Sequence, residues 1–246
     1  MMEAKIRKPA VAGSFYAGDA KELRQDVQNC FSRCKNPLME NVQAVIVPHA
    51  GYVFSGVTAA SAFAAINPDA EYEHIFLLGP SHHVYLGKAS VNIGASAYAT
   101  PLGNVPVDTA LCKDLMKKSD AITYAQEAHE SEHCLEVELP FLQYHMKKIP
   151  SIVPIIIATQ ELTTLKKIAD TLKPYLNEKN LFVISSDFSH YPSYKDAEIV
   201  DGLTKDSIMT GKVEAFVNAT LHNQELGIDH LATSACGMAP IATLLM

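Results

Sequence analysis

Short runs of β-branched and large aliphatic residues recur along the chain, and each ends at a proline, glycine or serine. One such run, Ala44–Val47, stops at Pro48, and similar runs cover residues 74–78 and 181–184. Between them lie longer stretches with helical spacing of apolar residues, such as 20–34. Strands that alternate with helices over short connections predict an α/β fold, with a mostly parallel central sheet between helical layers.

Two of the predicted elements contain a proline. Residues 128–148 predict a helix that Pro140 kinks or splits, because proline cannot continue the helical hydrogen bonds. Residues 152–157 predict a strand, and its Pro154 predicts an edge position or a bulge. The other predicted elements are a strand over 89–93, a loop or hairpin over 98–108, and helices over 56–65, 108–118, 161–176, 196–209, 213–221 and from 238 onward.

Three of the predicted strands are followed within a few residues by histidine. His49 follows the first, His82 and His83 follow the second, and Asp187 and His190 follow the third. In an open α/β sheet, ligands bind outside the carboxyl ends of the strands. A single histidine in such a place is more often a hydrogen-bonded structural residue, but three strand ends of this kind predict one site at a shared edge.

The residue types at these strand ends suit a metal ion. Two neutral imidazoles and an anionic third ligand can hold a divalent metal with open positions. A carboxylate as third ligand favours non-haem iron, whereas the thiolate of Cys236 favours copper(I), iron or zinc. Pattern alone also allows Cys236 to be an ordinary structural thiol.

Two residues of the third strand end have several possible roles. We expect His190 to act as a general base beside the metal and Asp187 to orient a histidine, although Asp187 could instead cap the following helix. Cys236, His190 and Asp187 could also form a hydrolytic nucleophile, base and orienting group. The chain lacks the G-x-S-x-G turn typical of many hydrolases.

An acidic segment provides a second group of candidates, namely Glu132, His133, Glu136 and Glu138. His133 and Glu136 are three positions apart and would be neighbours on the predicted helix. The segment is either a solvated, charged helix start or a set of residues that supports the first site.

Composition excludes several classes of protein. The chain has 246 residues and a net charge of −7, without a lysine or arginine cluster, which argues against binding nucleic acid or an anionic membrane surface. No apolar run approaches the roughly 20 residues of a membrane span. The start lacks the apolar region of a signal peptide, so we expect a cytoplasmic protein. Five cysteines, an odd number, do not predict a disulfide scaffold.

Six motifs between residues 12 and 240 carry a family resemblance. They are A-G-S-F-Y, P-H-A-G-Y, L-G-P-S-H-H, E-H-C-L-E-V-E-L-P, S-S-D-F-S-H-Y and A-C-G-M-A-P, in that order. Together they resemble the Memo family, whose prokaryotic members are also called AmmeMemoRadiSam system protein B. That family is similar in fold to class III extradiol dioxygenases of the protocatechuate type.

The resemblance implies a site and two possible functions. It implies one iron or copper ion, with zinc also possible, held by His49, His82 and Cys236, and a catalytic role for His190 with Asp187 beside it. The protein would then be a mononuclear non-haem metal protein with redox or dioxygenase-like chemistry. The alternative is a non-enzymatic metal- or peptide-binding module. Either implies a small-molecule or peptide ligand in the cleft and a functional link to radical-SAM proteins.

The resemblance also suggests which residues surround the ligands. Phe15 stands where animal members carry tryptophan, and its loop either caps the core or lines the pocket. The residues expected around the ligands or in the pocket are Phe15, His83, His133 and Glu136. The family normally continues past the cysteine-bearing helix into a further strand. We therefore expect residues 1–246 to form one domain that lacks this strand.

Overall fold

Strands and helices alternate along the computed structural model, which describes residues 5–34 and 38–246. The strands are β1 Lys5–Arg7, β2 Ala44–Val47, β3 His74–Pro80, β4 Lys88–Val91, β5 Ala95–Thr100, β6 Gly103–Pro106, β7 Ile122–Thr123, β8 Ser151–Ala158 and β9 Asn180–Ser185. The helices are α1 Ala20–Ser32, α2 Tyr52–Ala64, α3 Thr109–Lys118, α4 Glu127–Glu130, α5 Leu139–His145, α6 Leu162–Leu172, α7 Tyr194–Met209, α8 Val213–Glu225 and α9 Met238–Leu245. Among these helices, none combines the length and apolar composition that crossing a bilayer requires.

The larger of two sheets has the strand order β2-β9-β3-β8-β4-β7. Its first four strands are parallel to one another, whereas β4 pairs antiparallel to β8 and β7 runs parallel to β4. The smaller sheet has the order β1-β5-β6, in which β5 and β6 form the hairpin expected around residues 98–108. The prediction of an α/β fold with a mostly parallel central sheet is therefore confirmed.

Helices and loops cover both faces of the central strand β3, which is buried at every position after His74. On one face, the ring of Phe76 stacks on Phe182 of β9 with the centroids 4.6 Å apart, and α9 packs against both strands. On the opposite face, a Cβ atom on Gly79 would lie 2.4 Å from the Cys134 sulfur. Glycine at this position therefore lets the segment before α5 lie directly on the strand.

The strand order brings the three expected strand ends together. β9 lies between β2 and β3 and is parallel to both. Val47 at the end of β2 is in register with Ser185, and Leu78 near the end of β3 is in register with Ile184. The residues that follow these strands therefore leave the same edge of the sheet.

The edge position predicted from Pro154 is wrong, because β8 lies inside the sheet between β3 and β4. The carbonyl of Pro154 accepts a hydrogen bond from the backbone N–H of Asn92, which lies just beyond the end of β4. The nitrogen of Pro154 faces the same side of β8 as its carbonyl, toward β4. The missing N–H is tolerated because the pairing of β8 with β4 ends at the adjacent pair, Val91 and Ile155.

The helix predicted over residues 128–148 is split in two, but the break falls before Pro140 rather than at it. Two short helices, α4 and α5, flank a run of turns over residues 131–138. Pro140 lies in the first turn of α5, where a missing N–H costs little. His133 and Glu136 are therefore not neighbours on a helix face, and their side chains point to different parts of the molecule.

A buried arginine connects β1 to this run of turns. The Arg7 side chain donates to Glu136 Oε2 at 2.6 Å and to the backbone carbonyls of His129 and Glu132. Its guanidinium lies 4.7 Å from the ring centroid of Tyr98. The Arg7 and Glu136 side chains are 6% and 0% exposed, so solvent offers little compensation if either charge is removed.

We expect Arg7→Met to lower the free energy of unfolding by about 3–5 kcal/mol, because Glu136 would stay buried without its cation. Lys117→Met is the control, since Lys117 and Asp114 form a solvent-exposed pair whose loss should change the stability far less. Urea denaturation followed by circular dichroism measures both. Equal losses in the two variants would contradict the structural role given to Arg7.

Candidate metal centre

Three side chains converge at the shared edge of the sheet. One nitrogen each from His49 and His82 and the sulfur of Cys236 lie within 4.8 Å of one another. The Cys236 sulfur is 3.2 Å from Nε2 of His49. His49 is buried, while His82 and Cys236 face the adjacent cleft. The structure thus brings together the three residues proposed as ligands.

His49 is held on both its backbone and its ring. Its backbone N–H and that of Ala50 donate to Asp187 Oδ1 at 2.8 and 3.1 Å. Its ring Nδ1 lies 2.7 Å from Ser185 Oγ, which leaves Nε2 directed toward Cys236. Burial lowers the pKa of His49 to about 4, so the ring is neutral at pH 7, the form that binds metals.

His82 is held by Glu132, one of the carboxylates of the acidic segment. Its Nδ1 lies 2.9 Å from Glu132 Oε1, and its backbone N–H donates to Oε2. Burial acts to raise the pKa of Glu132, but the hydrogen bonds from His82 and the Cys134 backbone lower it to about 2. Hydrogen bonding to Cys236 and Glu132 in turn raises the pKa of His82 to about 10, so a metal ion that binds Nε2 of this ring would displace a proton from it.

Cys236 reaches the site because its loop packs against the end of β9. Its backbone N–H donates to the Asp187 carbonyl, and that of Gly237 donates to Ser186 Oγ at 2.9 Å. A Cβ atom on Gly237 would lie 2.4 Å from Ser186 Cβ, so this contact requires glycine. The close packing fixes the cysteine immediately before α9 begins.

His190 and Asp187 lie beside Cys236, with their side-chain ligand atoms again within 4.8 Å of one another. Nδ1 of His190 donates to the carbonyl of Phe188 at 2.9 Å, which leaves a lone pair on Nε2 to accept a proton. The alternative role of Asp187 as a helix cap is wrong, because Ser193 caps α7.

The hydrolytic alternative lacks a hydrogen bond between Asp187 and the ring of His190. A nucleophile–base–orienter set requires Asp187 to bind the ring of His190. Instead, Asp187 Oδ1 binds the backbone at His49, and His190 Nδ1 binds the carbonyl of Phe188. The arrangement therefore favours a metal site over a hydrolytic triad.

Aromatic rings form one wall of the site. The ring of His133 stacks on His82 at 4.8 Å, and Phe15 makes an edge contact with His133, also at 4.8 Å. Phe15 is therefore connected to the candidate ligand His82 through the ring of His133. His83 is exposed and lines the cleft, outside the cluster of ligand atoms.

The hydrogen-bond partners of Glu136 are groups other than the candidate ligands. It accepts hydrogen bonds from Arg7, from the Tyr16 hydroxyl and from the backbone N–H groups of Ala10 and Val11. These bonds fix the N-terminal loop that carries Phe15. Its influence on the site is therefore indirect, through the placement of that loop.

The candidate ligands open onto a cleft of about 570 Å³. His82 and Cys236 form part of its lining, together with Ser81, Tyr85 and Gln160. A cleft of this volume accommodates a small organic molecule. The mixture of hydroxyl, amide and imidazole groups provides hydrogen-bonding partners for a polar ligand.

Three further residues support the ligands, of which Glu132 and Glu138 belong to the acidic segment named from the sequence and Ser185 was not a candidate. Ser185 bonds to both His49 and Glu138, and Glu132 bonds to His82. Their only signal in the sequence was the S-S-D motif and the acidic segment, neither of which specifies a partner.

Comparisons with known proteins show which family the chain belongs to. A family model described as Memo-like protein matches residues 7–246. MEMO1 family proteins from Methanopyrus kandleri and Nitrosopumilus maritimus are each 32% identical, over 98% of this chain and 86% of the relative. A MEMO1 family protein from Schizosaccharomyces pombe is 37% identical over 77% of this chain and 62% of its own. The match therefore extends over nearly the whole chain, and the protein belongs to the Memo family.

Proposed function

We propose that the protein binds one metal ion through His49, His82 and Cys236. The observation that carries this proposal is that each histidine has its Nδ1 engaged, by Ser185 in one case and Glu132 in the other. Such partners orient metal-binding histidines in proteins and leave Nε2 free for the metal.

The donor set favours iron or copper, and zinc also fits. Two imidazoles and one thiolate are ligands that these metals accept, whereas magnesium and calcium prefer oxygen. A second group, His82, Glu132 and Cys134, is less suitable. Cys134 is fully buried, and burial raises its pKa, which keeps the sulfur protonated.

We propose a redox or dioxygenase-like reaction on a small molecule or peptide bound in the cleft. When bound, iron or copper would supply electron-transfer chemistry that the surrounding side chains lack. His190 would accept a proton from the substrate at Nε2, because its Nδ1–H is committed to Phe188. Asp187 would keep His49 in place through the backbone, and the wall of Phe15 and His133 would exclude water.

The first test concerns metal content. His49→Ala and Cys236→Ala should lose most of the metal found in anaerobically purified protein, because each removes a ligand. Residues that only hydrogen-bond to a metal ligand already contribute about 10–100-fold to metal affinity, so the loss of a ligand itself should have a larger effect. His83→Ala is the matched control, since it is adjacent to His82 in sequence but lies outside the cluster. Elemental analysis that finds equal metal in all three variants would refute the site.

The second test separates metal binding from chemistry. His190→Ala should retain the metal but lower metal-dependent O₂ consumption by about 10²–10⁴-fold, the usual contribution of a general base. His222→Ala on the exposed side of α8 serves as the control. If His190→Ala loses metal as fully as His49→Ala, His190 is a ligand. Metal retention without turnover by the wild type would favour a binding module.

A further inference from the structure

Ser185, at the end of β9, connects His49 to a buried carboxyl group. Its Oγ lies 2.7 Å from His49 Nδ1, 2.7 Å from the Cys134 carbonyl oxygen and 2.9 Å from Glu138 Oε1. Three polar atoms therefore share one hydroxyl group inside the protein.

The number of available protons determines which group donates each bond. A serine hydroxyl has one proton and two lone pairs, and a backbone carbonyl only accepts. The proton of Ser185 must therefore point to Cys134, since otherwise two oxygens would lie 2.7 Å apart without a hydrogen between them. The other two partners must then donate, which requires a proton on His49 Nδ1 and a proton on Glu138 Oε1.

The surroundings of Glu138 agree with a protonated carboxyl group. Its side chain is fully buried, and Oε2 has no hydrogen-bond partner among the described residues. Burial raises the pKa of Glu138 well above its usual value, and the nearby charge of Asp187 acts in the same direction. An ionised carboxylate in this position would be very costly.

Glu136, two residues earlier, shows the opposite environment. It is equally buried, yet its two oxygens accept four hydrogen bonds, one of them from the cation of Arg7. Both oxygens of Glu136 therefore have donors, whereas within the described part of the chain Glu138 has a hydrogen bond at Oε1 only. The two glutamates therefore form a natural pair for comparison within the same run of turns.

We propose that Glu138 is a positioning residue that remains a neutral acid and, through Ser185, fixes His49 in the tautomer whose Nε2 is free for the metal. The role of Nε2 rests on the proposed metal site, whereas the protonation of Glu138 does not. The two histidines then differ, because a neutral chain supports His49 and a carboxylate supports His82. A neutral partner leaves His49 the weaker electron donor of the two.

The protonation of Glu138 is tested on the metal-free full chain by infrared spectroscopy. At pH 7, well above the usual glutamate pKa of about 4.3, the wild type should show the carbonyl stretch of a buried carboxylic acid. This band should disappear in Glu138→Gln and persist in Glu136→Gln. A wild-type spectrum without the band, or a band unchanged in Glu138→Gln, would overturn the proposal.

The positioning role is tested in the same metal-free proteins by nitrogen NMR of His49. Wild type and Glu138→Gln should both show the Nδ1–H tautomer, because the glutamine amide still donates to Ser185. Ser185→Ala should show a mixture of the two His49 tautomers. Glu138→Met should shift His49 part of the way toward such a mixture. A single unchanged tautomer in Ser185→Ala would contradict the positioning role.

Cobalt(II) titration then connects the tautomer to the metal. Affinity should fall about 10–100-fold in Ser185→Ala, fall less in Glu138→Met, and stay near the wild-type value in Glu138→Gln. Equal affinities in all four proteins would overturn the positioning role. If the wild type itself binds no cobalt, the proposed function and the role toward the metal fail together, while the infrared result still decides the protonation of Glu138.

Discussion

Parallel pairing of β2, β9 and β3 is the constraint on which the rest of the site depends. Because the three strands end at one edge of the sheet, the residues after them meet without any long loop. β9 lies in the centre of this arrangement and ends at Ser185, which holds the ring of His49, while Asp187 just beyond the strand holds its backbone. The strand order of the sheet therefore determines the position of His49 and His82 in the candidate metal centre.

The run of turns over residues 131–138 provides the second support. Glu132 holds His82, Glu138 reaches Ser185, and Glu136 fixes the N-terminal loop through Arg7 and Tyr16. Three carboxyl groups within seven residues thus bind three separate parts of the structure. A regular helix would have spread them over its surface, so the irregular backbone of this segment is what allows each to reach a different partner.

Much of this arrangement was accessible from the sequence, because it depends on local rules. Pro48 ends a β-branched run, and a histidine at a strand end belongs to the ligand-binding edge, so the convergence of His49 and His82 was predictable. The partner of each carboxyl group behind them was not. Glu132 binds His82, Glu136 binds Arg7 and Glu138 binds Ser185 across 50, 129 and 47 positions of the chain, and periodicity predicts no contact at that range. The interior position of Pro154 was missed for a similar reason, since it depends on where the neighbouring strand β4 stops.

The central claim is that His49, His82 and Cys236 together bind one metal ion. X-ray absorption at the edge of the metal present in anaerobically purified protein tests it most directly. We predict one sulfur neighbour at about 2.3 Å and two imidazole nitrogens at about 2.0–2.1 Å, the distances typical of such bonds, with the sulfur absent in Cys236→Ala. A spectrum of the wild type that contains only oxygen and nitrogen neighbours would contradict the account.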